Sequence, residues 1–179
     1  TPQGGVISPL LANIYMNILD RIVNKEEGYF DRNGVKMIRY ADDFILISKH
    51  IKQEVIIRLH TYLQRMELTI NTEKSKKVNV KESSFDFLGF TFRTNRSLFD
   101  KRKSYIRIEP KAKSQKKIRQ KINMVLKHIG HYRPEEVVGE LNPKIRGWMN
   151  YYRIDKVSHT QLAFRKLDGY LRLRLRRYY

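Results

Sequence analysis

Two aspartates stand side by side in Tyr40-Ala41-Asp42-Asp43, between two runs of strand character at 36–40 and 44–48. The connection is so short that the runs pair as a β-hairpin, with both carboxylates at or beside its tip. Adjacent carboxylates on a rigid turn repel each other, and a hard cation relieves that repulsion. Mg²⁺ takes oxygen ligands and is commonly held by one or two carboxylates together with substrate phosphates. Two ions about 3.5–4 Å apart can clamp the attacking and leaving oxygens of a phosphoryl transfer. Aspartate is also an ordinary turn residue, because its side chain satisfies local backbone N–H groups. The hairpin alone leaves both readings open.

The elements that must position this turn follow from periodicity. Ser8 as N-cap and Pro9 at the first helical position open a helix, Leu11, Ile14, Ile18 and Ile22 follow helical spacing, and Gly28 ends the segment. Val55, Leu59, Tyr62, Leu63 and Met66 mark a second helix. Val78 and Val80 suggest a short strand, residues 85–92 alternate as another, and Tyr105 to Pro110 as a third. Beyond Pro110 the pattern is helical. Ile118, Ile122, Val125 and Ile129 form one apolar stripe, and Lys116, Lys117, Arg119 and Lys121 lie largely off it. Asn142 and Pro143 signal the start of the next helix, which carries Ile145, Trp148, Met149 and Tyr152. Ser158 with Gln161 has the form of a capping box for a last helix, with Phe164, Leu167, Leu171, Leu175 and Tyr178 on one face. A strand is the alternative over 171–176, where leucine and arginine alternate. The fold class is α+β, dividing near Lys101 into a mixed part, 1–100, and a helical part, 101–179.

Charge divides at the same place. Residues 1–100 hold 15 Lys+Arg and 12 Asp+Glu, whereas residues 101–179 hold 22 and 6. The whole chain carries a formal +19. Such a basic block attracts a polyanion with salt-sensitive affinity. Interleaved Trp148, Tyr151, Tyr152 and Tyr170 favour nucleic acid over a membrane surface, since aromatic rings can stack on bases. Several of those rings are equally fit for a core. There is no cysteine, which excludes disulfides and zinc–thiolate sites, and the five histidines lack zinc-site spacing. No apolar run is long enough for a transmembrane span, and no secretory signal is visible.

Further stretches carry a resemblance. They are 1–16, with Gln3-Gly4-Gly5; 68–76, with Lys74; Phe87-Leu88-Gly89-Phe90; and 141–153, with Arg146-Gly147-Trp148 and Arg153. In this order with the Asp42-Asp43 box, they resemble the later palm motifs and the thumb of group II intron-encoded reverse transcriptases, or maturases. The resemblance covers nearly the whole chain. It implies part of a right-hand polymerase palm, an antiparallel sheet with helices, followed by a basic helical thumb or maturase-specific domain. It implies Mg²⁺ in two ions, with Asp42 as principal ligand and Asp43 supporting. Lys74 then matches a lysine near the leaving pyrophosphate. Gln3 and Gly4 match the motif lining the nascent base pair, and Tyr40 and Ala41 are implied to bind nucleotide or primer. Leu88 and Gly89 match a hairpin that grips the primer end. Lys116, Lys117, Arg119, Lys121, Arg146 and Arg153 are the expected RNA contacts.

The implied partners are intron RNA, a template–primer duplex and deoxynucleoside triphosphates. The implied location is a bacterial cytoplasm or an organelle. A non-catalytic RNA-binding module assisting intron splicing is the alternative. The family's palm uses one more metal-binding aspartate, upstream of the Gln-Gly motif, and neither Asp20 nor Asp31 takes that place in the chain order. The chain therefore reads as a fragment, expected to expose apolar surface and to be inactive alone.

Overall fold

The structure is a computed structural model in which residues 5–97, 100, 102–129 and 132–177 are described. Gln3, Gly4, Lys101 and Tyr178 lie outside the described residues. The chain forms two compact units, Thr1–Lys76 and Lys77–Tyr179. The charge step near residue 100 thus falls inside the second unit.

In the first unit, helix α1 (Ser8–Val23) and the short α2 (Tyr29–Arg32) precede strands β1 (Lys36–Tyr40) and β2 (Asp43–Ile47), and helix α3 (Gln53–Arg65) follows. The strands pair antiparallel in a two-stranded sheet, with Tyr40 opposite Asp43. A two-stranded ribbon is marginal by itself. It is held by a core of Leu19, Val23, Phe30, Val35, Met37, Val55, Leu59 and Leu63.

Three expectations are corrected here. The α1 cap is Ile7 rather than Ser8; the Ser8 amide is drawn into a turn with the Gly5 carbonyl at 3.1 Å, and its hydroxyl is buried without a partner among the described residues. The helix stops at Val23, and Gly28 caps α2 instead. The Leu11–Ile14–Ile18 stripe faces outward: Ile14 is 61% exposed, while Leu19 and Val23 are fully buried. The core takes the neighbouring stripe because that face meets Phe30, Val35 and Met37. Exposed apolar surface is therefore present on α1, through Leu10, Leu11, Ile14 and Ile18.

The second unit holds β3 (Phe85–Phe87), β4 (Phe90–Arg96) and β5 (Ser104–Pro110) as an antiparallel sheet in that order. Helices α4 (Ala112–Ile129), α5 (Pro134–Tyr152) and α6 (Gln161–Leu175) follow. Their core is Ile118, Ile122, Leu126, Val137, Leu141 and Leu167, with Trp148, Tyr170 and Leu171 packed against it. Val78 and Val80 form no strand; the Val80 carbonyl instead accepts from Thr94 Oγ1 at 2.8 Å.

Helix α5 does not begin at Asn142. It starts at Pro134 and runs through Pro143. A mid-helix proline loses one hydrogen bond and crowds the carbonyl four residues back, at a cost of about 3 kcal/mol. Val137 and Leu141 before it, and Ile145, Trp148 and Tyr152 after it, outweigh that cost by packing on one core or its margin. The Ser158 hydroxyl does not cap α6, whose cap is Thr160; it closes a turn back to Ile154, accepting from its N–H at 2.8 Å. Residues 171–175 are helical, which removes the strand alternative. No described helix is long and apolar enough to cross a membrane.

Candidate active site

The β1–β2 connection consists of Ala41 and Asp42 alone. Two-residue hairpin loops whose twist suits the strands need positive φ at their first position, usually supplied by glycine. Here Ala41 takes it, with φ 53°. Ala41, Asp42 and Asp43 are all exposed. Asp43 opens β2, so the two carboxylates leave the backbone from consecutive positions at the tip. Neither carboxylate has a side-chain hydrogen bond or ion pair among the described residues.

Beneath the tip, β1 alternates. Ile38 and Tyr40 face solvent, while Met37 and Arg39 turn inward. A guanidinium on the inner face needs a carboxylate, and Asp20 on α1 supplies it. Arg39 Nε donates to both Asp20 oxygens, at 2.9 and 3.0 Å, and Nη2 donates to the second as well. The remaining nitrogen, Nη1, donates to the Ala41 carbonyl at 2.6 Å and to Asn13 Oδ1 at 3.1 Å. The Asp20 hydrogen bond raises the Arg39 pKa above its ordinary value, against the opposing pull of burial. Asp31 is likewise engaged: Lys36 Nζ lies 2.7 Å away, and with the Glu27 amide it lowers that carboxyl's pKa. Sequence reasoning passed over Arg39, although a charged residue on the inner register of a strand was a signal for it.

Two hard oxygen donors at an exposed turn fit the chemistry of a divalent cation. No cluster of three or more His, Asp or Glu side chains able to hold a metal occurs among the described residues. Lys74 sits in a turn closed on Asn71, whose side-chain and main-chain oxygens accept from the Lys74 amide at 3.2 and 3.3 Å. Its side chain is exposed.

Leu88 and Gly89 form the two-residue loop between β3 and β4, in the second unit. Both have positive φ, 48° and 80°, the type I′ pattern. Aromatic side chains of α5 hold this loop. Tyr151 Oη donates to the Leu88 carbonyl at 2.9 Å, and a Cβ on Gly89 would lie 2.8 Å from Tyr152 Oη. Tyr152 Oη and Trp148 Nε1 both donate to Ser114 Oγ, at 2.7 and 3.0 Å. Tyr152 is buried, whereas Tyr151 is 57% exposed.

Lys116, Lys117 and Lys121 are exposed on α4, and Arg146 on α5. Arg119 is half-buried, with its guanidinium 5.5 Å from the Tyr170 ring centre; exposed Arg153 lies 5.8 Å from that of Phe164. Tyr170 also donates to Asn123 Oδ1 at 2.7 Å. Ring contact orients both guanidiniums without consuming their N–H donors.

Residues 1–92 match the reverse transcriptase (RNA-dependent DNA polymerase) family, and residues 115–179 match the group II intron maturase-specific domain. Among curated relatives, the group II intron-encoded protein LtrA of Lactococcus lactis is 25% identical over 85% of this chain and 39% of its own length. The uncharacterized 91 kDa protein in cob intron of Schizosaccharomyces pombe is 23% identical, over 85% of this chain and 27% of its own. Protein YkfC of Escherichia coli is 33% identical over 55% of this chain and 33% of its own. The chain thus spans about a third of the length of the curated relatives it matches. With its acidic hairpin in the first matched segment and its basic helices in the second, the chain belongs to the reverse transcriptase family, in the branch that carries the group II intron maturase domain.

Proposed function

We propose that this chain supplies the Asp42–Asp43 turn and the basic helices of an RNA-directed DNA polymerase that is also an intron maturase. The observation that carries this is the exposed carboxylate pair, unengaged among the described residues, on a two-residue turn in a chain of this family. The reaction is attack of a primer 3′-hydroxyl oxygen on the α-phosphorus of a deoxynucleoside triphosphate. A new P–O ester bond forms, the bond to the β-phosphate oxygen breaks, pyrophosphate leaves, and the hydroxyl proton passes to solvent. Bound Mg²⁺ supplies charge neutralisation at the attacking and leaving oxygens. Asp42 is the principal ligand and Asp43 the supporting one, and a further carboxylate from outside this chain completes the set. Lys74 neutralises the leaving pyrophosphate. Gln3 and Gly4 line the nascent base pair, Tyr40 and Ala41 contact nucleotide or primer, and Leu88–Gly89 steadies the primer end. Positioning and electrostatics carry such a transfer, with little covalent work for side chains.

RNA is the macromolecular partner. Lys116, Lys117, Arg119, Lys121, Arg146 and Arg153 meet phosphates, which positions RNA without reading its sequence. The charge asymmetry also supports a second reading, a splicing module in which the turn is idle.

The test is primer extension on an RNA template by the complete protein carrying Asp42→Asn. Extension falls by roughly 100-fold or more, as for loss of one group that stabilises transition-state charge. RNA affinity stays near that of the unaltered protein. Unaltered extension would remove the metal role, and intact splicing with no extension in the unaltered protein would favour the second reading.

A further inference from the structure

The Arg39 guanidinium joins three things: Asp20 and Asn13 on α1, and the Ala41 carbonyl in the turn. That carbonyl belongs to the peptide linking Ala41 to Asp42. Fixing its oxygen fixes the plane of the peptide, and therefore where the Asp42 side chain starts. The turn needs such a hold. Ala41 has φ 53°, in the left-handed region where a Cβ crowds the neighbouring carbonyl oxygen. A two-residue loop with no glycine can relieve that strain by rotating the peptide, unless something retains the carbonyl. The Arg39 side chain is only 11% exposed and its fork is already locked on Asp20, so it meets the carbonyl pre-set.

We propose that Arg39, seated on Asp20 and Asn13, is a positioning residue that clamps the Ala41–Asp42 peptide and presets the Asp42 carboxylate for its cation. This rests on the reading of Asp42 as a metal ligand. Lysine cannot substitute, because one ammonium cannot span the Asp20 carboxylate and the Ala41 carbonyl as a planar fork does. Strain relief at position 41 is the distinguishing feature. A group that merely pinned β1 to α1 would be indifferent to glycine at 41, whereas a clamp opposing the Ala41 strain would not.

The experiment uses the complete protein bound to a template–primer, with Mn²⁺ as the probe. Mn²⁺ binding is followed by electron paramagnetic resonance, exchange of the amide hydrogens at 41–43 by mass spectrometry, and extension across a metal titration. Arg39→Lys weakens Mn²⁺ binding by about 10- to 100-fold, the usual range for an outer partner of a metal ligand. It also speeds exchange at 41–43, and excess metal partly restores extension. RNA affinity and the thermal midpoint move little. Adding Ala41→Gly recovers a substantial part of the lost Mn²⁺ affinity.

Should Arg39→Lys unfold the protein, Arg39→Gln with Asp20→Asn removes both charges of the pair together and is measured in its place. Unchanged Mn²⁺ affinity in the folded variants overturns the clamp, and so does a loss that Ala41→Gly fails to reduce. Asp42→Asn separates the two levels. If it leaves Mn²⁺ binding and extension intact, the metal reading falls and takes the clamp with it. If it abolishes both while the Arg39 variants behave as unaltered, only the clamp falls.

Discussion

The Ala41-Asp42 and Leu88-Gly89 turns both join antiparallel strands through two residues, and both begin on a residue of positive φ, 53° and 48°. They are held by different means. The first is retained from behind, through one carbonyl and one guanidinium, and its tip is left to solvent. The second is retained by backbone and ring: Tyr151 and the Lys111 amide bond its two carbonyls, and Tyr152 lies against its glycine. A turn that presents charge cannot be covered by rings without desolvating its carboxylates, so a hydrogen-bonded hold suits it. A turn without ionised groups can be packed. The charge around them differs likewise. The first unit has 11 Lys+Arg against 9 Asp+Glu, and the second has 26 against 9. The acidic turn therefore works by local placement, and the basic unit by its summed field.

The largest expected effect tests that summed field. Replacing Lys116, Lys117, Arg119 and Lys121 by Gln weakens RNA binding and flattens its salt dependence. At about 0.7–0.9 per phosphate neutralised, the slope of log K against log salt falls by up to about 3.6. The measurement is a binding isotherm at several salt concentrations. Trp148→Ala, which removes a ring packed on the helical core, lowers stability by about 3 kcal/mol and leaves the slope of the folded protein unchanged. Equal slopes for the quadruple variant and the unaltered protein would take α4 out of the RNA-binding face.

A smaller effect tests the packed turn. Gly89→Ala places a Cβ 2.8 Å from Tyr152 Oη at a φ of 80°, and lowers stability by about 2 kcal/mol. Tyr152→Phe removes that oxygen together with its bond to Ser114, and costs about 1 kcal/mol alone. The pair is less destabilising than the sum, because the second change removes the atom that the first one strikes. Strict additivity in urea unfolding would mean that Tyr152 does not press on the turn.

What the sequence discloses follows the same division. Strand β1 is legible to the residue, since a short link between two apolar runs leaves one pairing. The stripe on α4 is legible because three turns of helix repeat it, although Leu126 joins the core beside the positions expected. The start of α5 is not, because Asn142-Pro143 has the local form of a helix N-terminus and only tertiary packing on both sides of Pro143 overrules it. The outward face of α1 is equally hidden: Leu11, Ile14 and Ile18 are as apolar as Leu19 and Val23, and only contact with Phe30, Val35 and Met37 decides between them. At the site, the adjacent aspartates were visible from type and spacing. The Arg39 bond to Ala41 was not, because it depends on which face of β1 meets α1. The roles given to Gln3 and Gly4 fall outside the described residues.

The smallest expected effect concerns the first turn alone. Ala41→Gly removes a left-handed strain of about 1–2 kcal/mol. It also loosens the unfolded chain, which takes back about 0.4–1 kcal/mol. The net is a gain of roughly 0.5 kcal/mol in urea unfolding of this chain, within the combined range of those two terms. The same change at the second turn, Leu88→Gly, gives less or a loss, because Leu88 is half-buried and contributes packing that Ala41, exposed at its tip, does not. The sign at position 41 is therefore the sharper test of the contrast between the turns. A loss of about 1 kcal/mol or more from Ala41→Gly would show that Ala41 is at ease in its conformation. The Arg39 bond to its carbonyl would then oppose no strain, and the acidic turn would be set by strand pairing alone, with Tyr40 opposite Asp43.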